Sequence, residues 1–213
     1  MIYEQRGENK SQLKIPNPLI KAETALVIID MQNDYCMPNG FLAKSLGWDV
    51  SATLQMISRL QNVLGKARSE GLLRIFVKTI HSNYTASRTY KDRMGVSPDF
   101  CLPNSWGSQI VSELTPEQDE IVAIKHRYSA FVDSHFPLIV RSNGIRNLLF
   151  AGTTTNVCVE STVRDAIMND YLPIVLSDCV MSPEKDLHEA SLRNISKYFG
   201  VVSPSEAVFA LLK

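Results

Sequence analysis

Residues 146–165, "RNLLFAGTTTNVCVESTVRD", decide the fold. A short apolar run gives way to a glycine and three threonines, then to a stretch with helical spacing. The run "RNLLFAGT" (146–153) is strand-sized and almost continuously apolar, the pattern of a strand buried on both faces. In "NVCVESTVRDAIMND" (156–170) apolar residues recur three and four apart, which predicts a helix folding back onto that strand. A strand passing straight into a helix is one half of a βαβ unit.

Working outward, the same unit recurs. "ALVIID" (25–30), "LLRIFVKTI" (72–80), "EIVAIK" (120–125) and "LPIVLSD" (172–178) are predicted strands bounded by polar or turn residues. "ATLQMISRLQNVLGKARSEG" (52–71) predicts a helix stopped by Gly71, a suitable C-cap. "DLHEASLRNISKYFG" (186–200) and "SEAVFALL" (205–212) predict two more. Such alternation implies an α/β fold: a single doubly wound domain with a parallel sheet and helices on both faces. No repeat or Gly/Ser linker divides the chain, so residues 1–213 are expected to form one domain. Residues 1–22 form a polar N-terminal arm, and residues 81–107 a long polar insertion without clear periodicity. A loop of that length in a compact domain suggests a lid or binding loop.

Composition excludes several classes. The 22 basic and 22 acidic residues balance, leaving no basic field to attract nucleic acid or anionic lipid. No apolar run approaches the roughly 20 residues of a membrane span, and the polar N-terminus carries no apolar secretory core. Four scattered cysteines, Cys36, Cys101, Cys158 and Cys179, form no CxxC pair. That spacing disfavours a disulfide scaffold or zinc knuckle and favours the reducing cytoplasm.

In doubly wound folds the chemistry gathers at the carboxyl ends of the strands. Asp30, Lys125 and Cys158 fall at three such ends. Each has a bland reading: Asp30 as a turn cap, Lys125 as a solvated charge, Cys158 as core packing. Each also has a chemical one. Cys158 is expected in the first turn of a helix, where unpaired amides and the dipole lower a thiol pKa and can hold an oxyanion. A buried carboxylate can take the thiol proton, and an ammonium beside both favours negative charge.

Taken together, "ALVIIDMQNDY", "EIVAIKHRYSAF" and "AGTTTNVCVESTVRDA" closely resemble the isochorismatase-like cysteine hydrolases, in that family's order and spacing. The resemblance implies a single-domain, three-layer, Rossmann-like fold with a parallel sheet of about six strands, and an Asp–Lys–Cys triad, with Cys158 as nucleophile, Asp30 as general base and Lys125 holding the charges together. It also implies a cis peptide at Thr153–Thr154 and an oxyanion hole formed by the N–H groups of Thr154 and Cys158. Within the family, "IDMQNDY", "KHRYSAF", "SNGIRNLLFAG" and "TNVCVESTVRDA" look most like ureidoacrylate amidohydrolases and biuret-type hydrolases. The implied activity is cleavage of a carbamoyl or amide C–N bond in a small ureido or amide substrate through a thioester. Tyr35, Thr79, His81 and Tyr128 map onto the family's substrate pocket. Arg88, Lys91 and Arg93 in the insertion read as a solvated charge run, with binding of a substrate carboxylate as the alternative. The family's nicotinamidases hold a metal through an Asp-x-His pair and a further histidine. Here no histidine precedes His81 and none lies between it and His126, so no metal or cofactor is expected. Nicotinamidase-like or isochorismatase-type hydrolysis, or a binding protein with a vestigial site, are the alternatives. By the same resemblance the chain is expected to assemble as a homodimer or homotetramer.

Overall fold

The structure is a computed structural model that describes residues 13–94 and 99–213. In chain order the main elements begin with β1 (Thr24–Ile29), α1 (Asn33–Cys36), α2 (Phe41–Leu46), α3 (Ser51–Ser69) and β2 (Leu73–Thr79). There follow α4 (Arg88–Met94), β3 (Ile121–Lys125), α5 (Phe136–Ser142), β4 (Asn147–Thr153) and α6 (Glu160–Met168). The chain closes with β5 (Leu172–Met181), α7 (Lys185–Asn194), β6 (Val201–Ser203) and α8 (Ser205–Phe209). The strands form one sheet in the order β3-β2-β1-β4-β5-β6, and every neighbouring pair is parallel.

β1 shows why the fold has three layers. All six of its residues are buried, and its side chains alternate between the two faces of the sheet. Leu26 and Ile28 join one core with Met56, Leu60 and Leu64 of α3. Ala25, Val27 and Ile29 join the other with Phe136 and Val140 of α5 and Val163 and Ala166 of α6. Each fully buried Leu, Ile or Val contributes roughly 1.5–3 kcal/mol, so a strand apolar on both faces is stable only between two helical layers.

α3 ends as its sequence predicts. Gly71 takes a φ of 69°, its N–H donates to the Arg68 carbonyl, and the Leu72 N–H donates to that of Ala67. This is a Schellman cap, and it drops buried Leu72 at the head of β2. The helix predicted over 156–170 is divided: residues Thr155–Val159 form a wide π-type turn before α6 begins. The C-terminal stretch behaves alike, with α7 passing into a second π turn at Ile195–Phe199. α5, the short α1 and α2, and the three-residue β6 carry too few periods to be read from sequence. Residues 81–107, expected to lack regular structure, contain α4. Of the expected arm and insertion, residues 1–12 and 95–98 lie outside the described residues.

The strand order reverses direction between β1 and β4. Loops leaving neighbouring strands diverge at such a switch point and open a crevice at the carboxyl ends.

Candidate active site

Sheet register brings the strand ends level. Ile29 pairs with Val77 of β2 and Gly152 of β4, and Thr79 pairs with Lys125 of β3. Gly152 has a φ of 116°, and a Cβ there would stand 2.0 Å from the Ile29 carbonyl oxygen. Only glycine lets β4 run this close to β1 just before the two chains reach the crevice.

Asp30 leaves β1 in the left-handed conformation, with a φ of 52°, which costs a non-glycine residue about 1–2 kcal/mol. Its carboxylate is completely buried, as is Lys125 but for 1% of its surface. Lys125 Nζ stands 2.7 Å from Asp30 Oδ2, 2.6 Å from Thr79 Oγ1 and 3.5 Å from Cys158 Sγ. Thr79 Oγ1 in turn donates to Asp30 Oδ1 at 2.9 Å. The three residues nominated at separate strand ends therefore meet within direct contact, with Thr79 wedged between two of them. Asp30 Oδ2 touches the ammonium but receives no directed hydrogen bond from the described residues. A lone pair on this buried oxygen is left open.

Electrostatics follows from burial and these contacts. Burial works against the Lys125 ammonium, but Asp30 and Cys158 outweigh it and its pKa rises. Burial drives the Cys158 thiol up; Lys125 pulls it back and Asp30 pushes with burial, leaving it at about 12. The lowered thiol pKa expected from a helix start is thus reversed. Cys158 lies in a π turn rather than an α-helical first turn, and it is only 4% exposed. The resting trio is an ion pair beside a neutral thiol.

The peptide joining Thr153 to Thr154 is cis. Beyond it the Thr154 carbonyl accepts from the N–H groups of Val157 and Val159. In an α-helix that carbonyl would take the Cys158 N–H; the wider turn passes over it. Behind the turn, the Thr155 hydroxyl lies 2.8 Å from His188 Nδ1, and the Thr155 carbonyl accepts from Ser191 Oγ.

Cys158 and Lys125 open onto a cavity of about 70 Å³. Tyr35, Thr79, His81 and Tyr128, the four residues nominated for substrate contact, all line it. The Thr79 hydroxyl, however, is committed to Asp30 and Lys125. His81 is buried, and burial followed by Lys125 pushes its pKa down to about 4. Its ring stacks on Tyr90 and meets Phe100 edge-on. Arg88 and Arg93 are exposed, and Arg88 pairs with Asp92 at 3.7 Å. Lys91 reaches the Asn83 carbonyl at 3.4 Å.

Three lining residues escaped the sequence reading: Tyr90, His126 and Arg127. His126 and Arg127 directly follow Lys125, so proximity to a strand end was the available signal. Tyr90 had none, because α4 lies in a segment without visible periodicity. Gln32 was missed as well. Its side-chain amide bonds both backbone groups of Thr79, accepting from the N–H at 2.7 Å and donating to the carbonyl at 2.9 Å. It thereby pins the end of β2 beneath the site. All four cysteines are free. Among the described residues no cluster of three or more His, Cys, Asp or Glu side chains is arranged to hold a metal ion, and no helix is long and apolar enough to cross a membrane.

A parallel α/β sheet thus carries a thiol, a carboxylate and an ammonium together at the carboxyl ends of its strands. The isochorismatase domain model matches residues 24–207, and the chain belongs to this family. It is 36% identical over 210 residues to the ureidoacrylate amidohydrolase RutB of Stutzerimonas stutzeri, covering 90% of this chain and 84% of that one. Among solved structures it resembles a cysteine hydrolase from Pseudomonas syringae pv. phaseolicola, with a TM-score of 0.82 at 24% identity. That match covers 95% of this chain and 98% of the other. An isochorismatase family protein from Desulfovibrio vulgaris matches with a TM-score of 0.78 at 27% identity, over 89% of this chain and 97% of that one.

Proposed function

We propose that the protein is a cysteine amidohydrolase that cleaves the carbamoyl or amide C–N bond of a small ureido or amide substrate through a thioester. The observation that carries this reading is that Lys125 contacts both Asp30 and Cys158, with Lys125 and Cys158 lining one cavity and Asp30 buried behind them. The 36% identity to a ureidoacrylate amidohydrolase supports the bond type.

In this reading the Cys158 thiol, held neutral by burial, gives its proton to Asp30 as sulfur attacks the carbonyl carbon. The C=O electron pair becomes an oxyanion, which the N–H groups of Thr154 and Cys158 receive. The Cys158 amide, passed over by the Thr154 carbonyl, supports that assignment. Collapse re-forms the carbonyl and breaks the C–N bond, and the leaving nitrogen takes the proton from Asp30. Water then attacks the thioester, giving one proton to Asp30, which returns it to the departing sulfur. Lys125 stays protonated throughout and balances whichever neighbour is negative. No step calls on a metal.

The described parts of the 81–107 insertion, residues 81–94 and 99–107, act as the lid, a reading supported by Tyr90 and His81 in the cavity wall. The assembly is a homo-oligomer in which a second copy covers the β3 edge. Val122 and Ile124, each 44% exposed on that edge strand, support this. Four free cysteines suit a cytoplasmic location.

Ammonia release from ureidoacrylate, biuret, N-carbamoyl amino acids and simple amides tests the function. At least one should turn over, and Cys158→Ser should lower its kcat roughly 10³-fold or more with thermal unfolding little changed. Full activity in that variant rejects the mechanism.

A further inference from the structure

One face of α7 is polar although it packs against the protein. His188, Ser191 and Asn194 recur three apart, so they share a face, and that face meets the turn bearing Cys158. The Thr155 hydroxyl meets His188 Nδ1 at 2.8 Å, and Ser191 Oγ donates to the Thr155 carbonyl at 3.3 Å. Asn194 Nδ2 donates to Glu160 Oε1 at 2.7 Å, and Arg164 donates to the same oxygen. Thr155 opens the turn, and Glu160 is the first residue beyond it. α7 therefore grips the turn at both ends. Thr155 and Ser191 are buried, where such bonds meet little competition from water.

A π turn is rare because it is looser than an α turn, so contacts from outside must hold it. Closed to an α turn, residues 154–158 would pass the Cys158 N–H to the Thr154 carbonyl. The proposed oxyanion would then lose a donor. As it stands, that carbonyl accepts from Val157 and Val159 instead. His188, Ser191 and Asn194 stand outside the cavity lining, so their influence reaches the reaction only through the turn.

Resting on the amidohydrolase reading above, we propose that His188 is a positioning residue. Through Thr155 it keeps the nucleophile turn wide and the Cys158 N–H available to the oxyanion. Ser191 and Asn194 brace the same turn.

His188→Ala should lower kcat roughly 10- to 100-fold for whichever of the compounds above is turned over, with KM little changed. The oxyanion exists only in the transition state, so ground-state binding is spared. His188→Asn places a polar atom where Nδ1 stood and should recover most of the rate. His188→Gln reaches one bond further and should not. Thr155→Val should match His188→Ala, and the double variant should be no worse than either.

A second readout needs no turnover. Propionaldehyde takes the Cys158 thiol across its C=O, sulfur bonding to carbon and the thiol proton passing to oxygen. The adduct shields Cys158 from iodoacetamide. Half-protection should need roughly tenfold more aldehyde in His188→Ala than in the unaltered chain, and no more in His188→Asn. Four results overturn the proposal: unchanged kcat in His188→Ala, equal rates in His188→Asn and His188→Gln, a loss confined to KM, or unshifted half-protection. Protection that depends on His188 in a protein releasing no ammonia would sink the amidohydrolase reading and leave the positioning role standing.

Discussion

Thr79 and Lys125 are register partners on adjacent parallel strands, and the lysine ammonium turns back to donate to its partner's hydroxyl at 2.6 Å. The same hydroxyl donates to Asp30 at 2.9 Å. One oxygen therefore bonds both members of a buried ion pair. Desolvating two charges is expensive unless their remaining donors and acceptors are filled, and Thr79 fills one on each side.

Thr79→Val keeps the shape of the side chain and removes both bonds. We expect the fold to survive and kcat/KM to fall about 10- to 100-fold, the loss of hydrogen bonds to charged groups worth roughly 1.5–3 kcal/mol. Thr79→Ser should restore most of the activity. Unchanged kinetics in the valine variant would show that the hydroxyl has no part in holding the pair.

Burial sets the ionisation of Cys158, so its thiolate should form only in alkaline solution. With the thiol pushed up to about 12, alkylation of Cys158 by iodoacetamide should rise steadily from about pH 7 to about pH 10 without a plateau. Mass spectrometry of the labelled peptide follows it. An inflection near neutrality would mean that Lys125 holds a preformed thiolate and that attack does not await transfer to Asp30.

Glu120, at the entrance to β3, anchors a second buried charge cluster away from the site. It accepts from Arg68 at 2.9 and 2.7 Å, from Arg74 at 2.9 Å and from the Glu117 N–H at 2.8 Å. Burial raises the carboxyl pKa, but these partners overcome it and hold it at about 2. A depressed folded pKa adds stability above the unfolded value, about 4.5, and that stability is lost as pH falls toward 2. Glu120→Gln should therefore cost roughly 2–3 kcal/mol near pH 7 in urea unfolding, and the gap should shrink below about pH 4.5. A pH-independent difference would assign the loss to packing.

Gly152→Ala forces a Cβ to within 2.0 Å of the Ile29 carbonyl at a φ of 116°. We expect a loss of roughly 3 kcal/mol or more in denaturant unfolding, because both backbone strain and the β1–β4 pairing are at stake. A loss below about 1 kcal/mol would show that β4 can shift away from β1 without penalty.

The sequence by itself determined the layers. The apolar runs at β1 to β5 and the spacing along α3 are local patterns, and Leu26 against Val27 already states that β1 has two buried faces. It also located Asp30, Lys125 and Cys158 at strand ends, since the boundary between an apolar run and a polar loop is itself local. What only the tertiary structure decided depends on separations that no local pattern encodes. Thr79 and Gln32 owe their roles to contacts made 46 and 47 positions away, and Tyr90 reaches the cavity from an aperiodic segment. The charge state of Cys158 went the same way: a helix start argues for a low pKa, but the depth at which the folded sheet buries the sulfur decides against it. Burial is a property of the whole packed chain, and that is why the site's residues were legible earlier than its electrostatics.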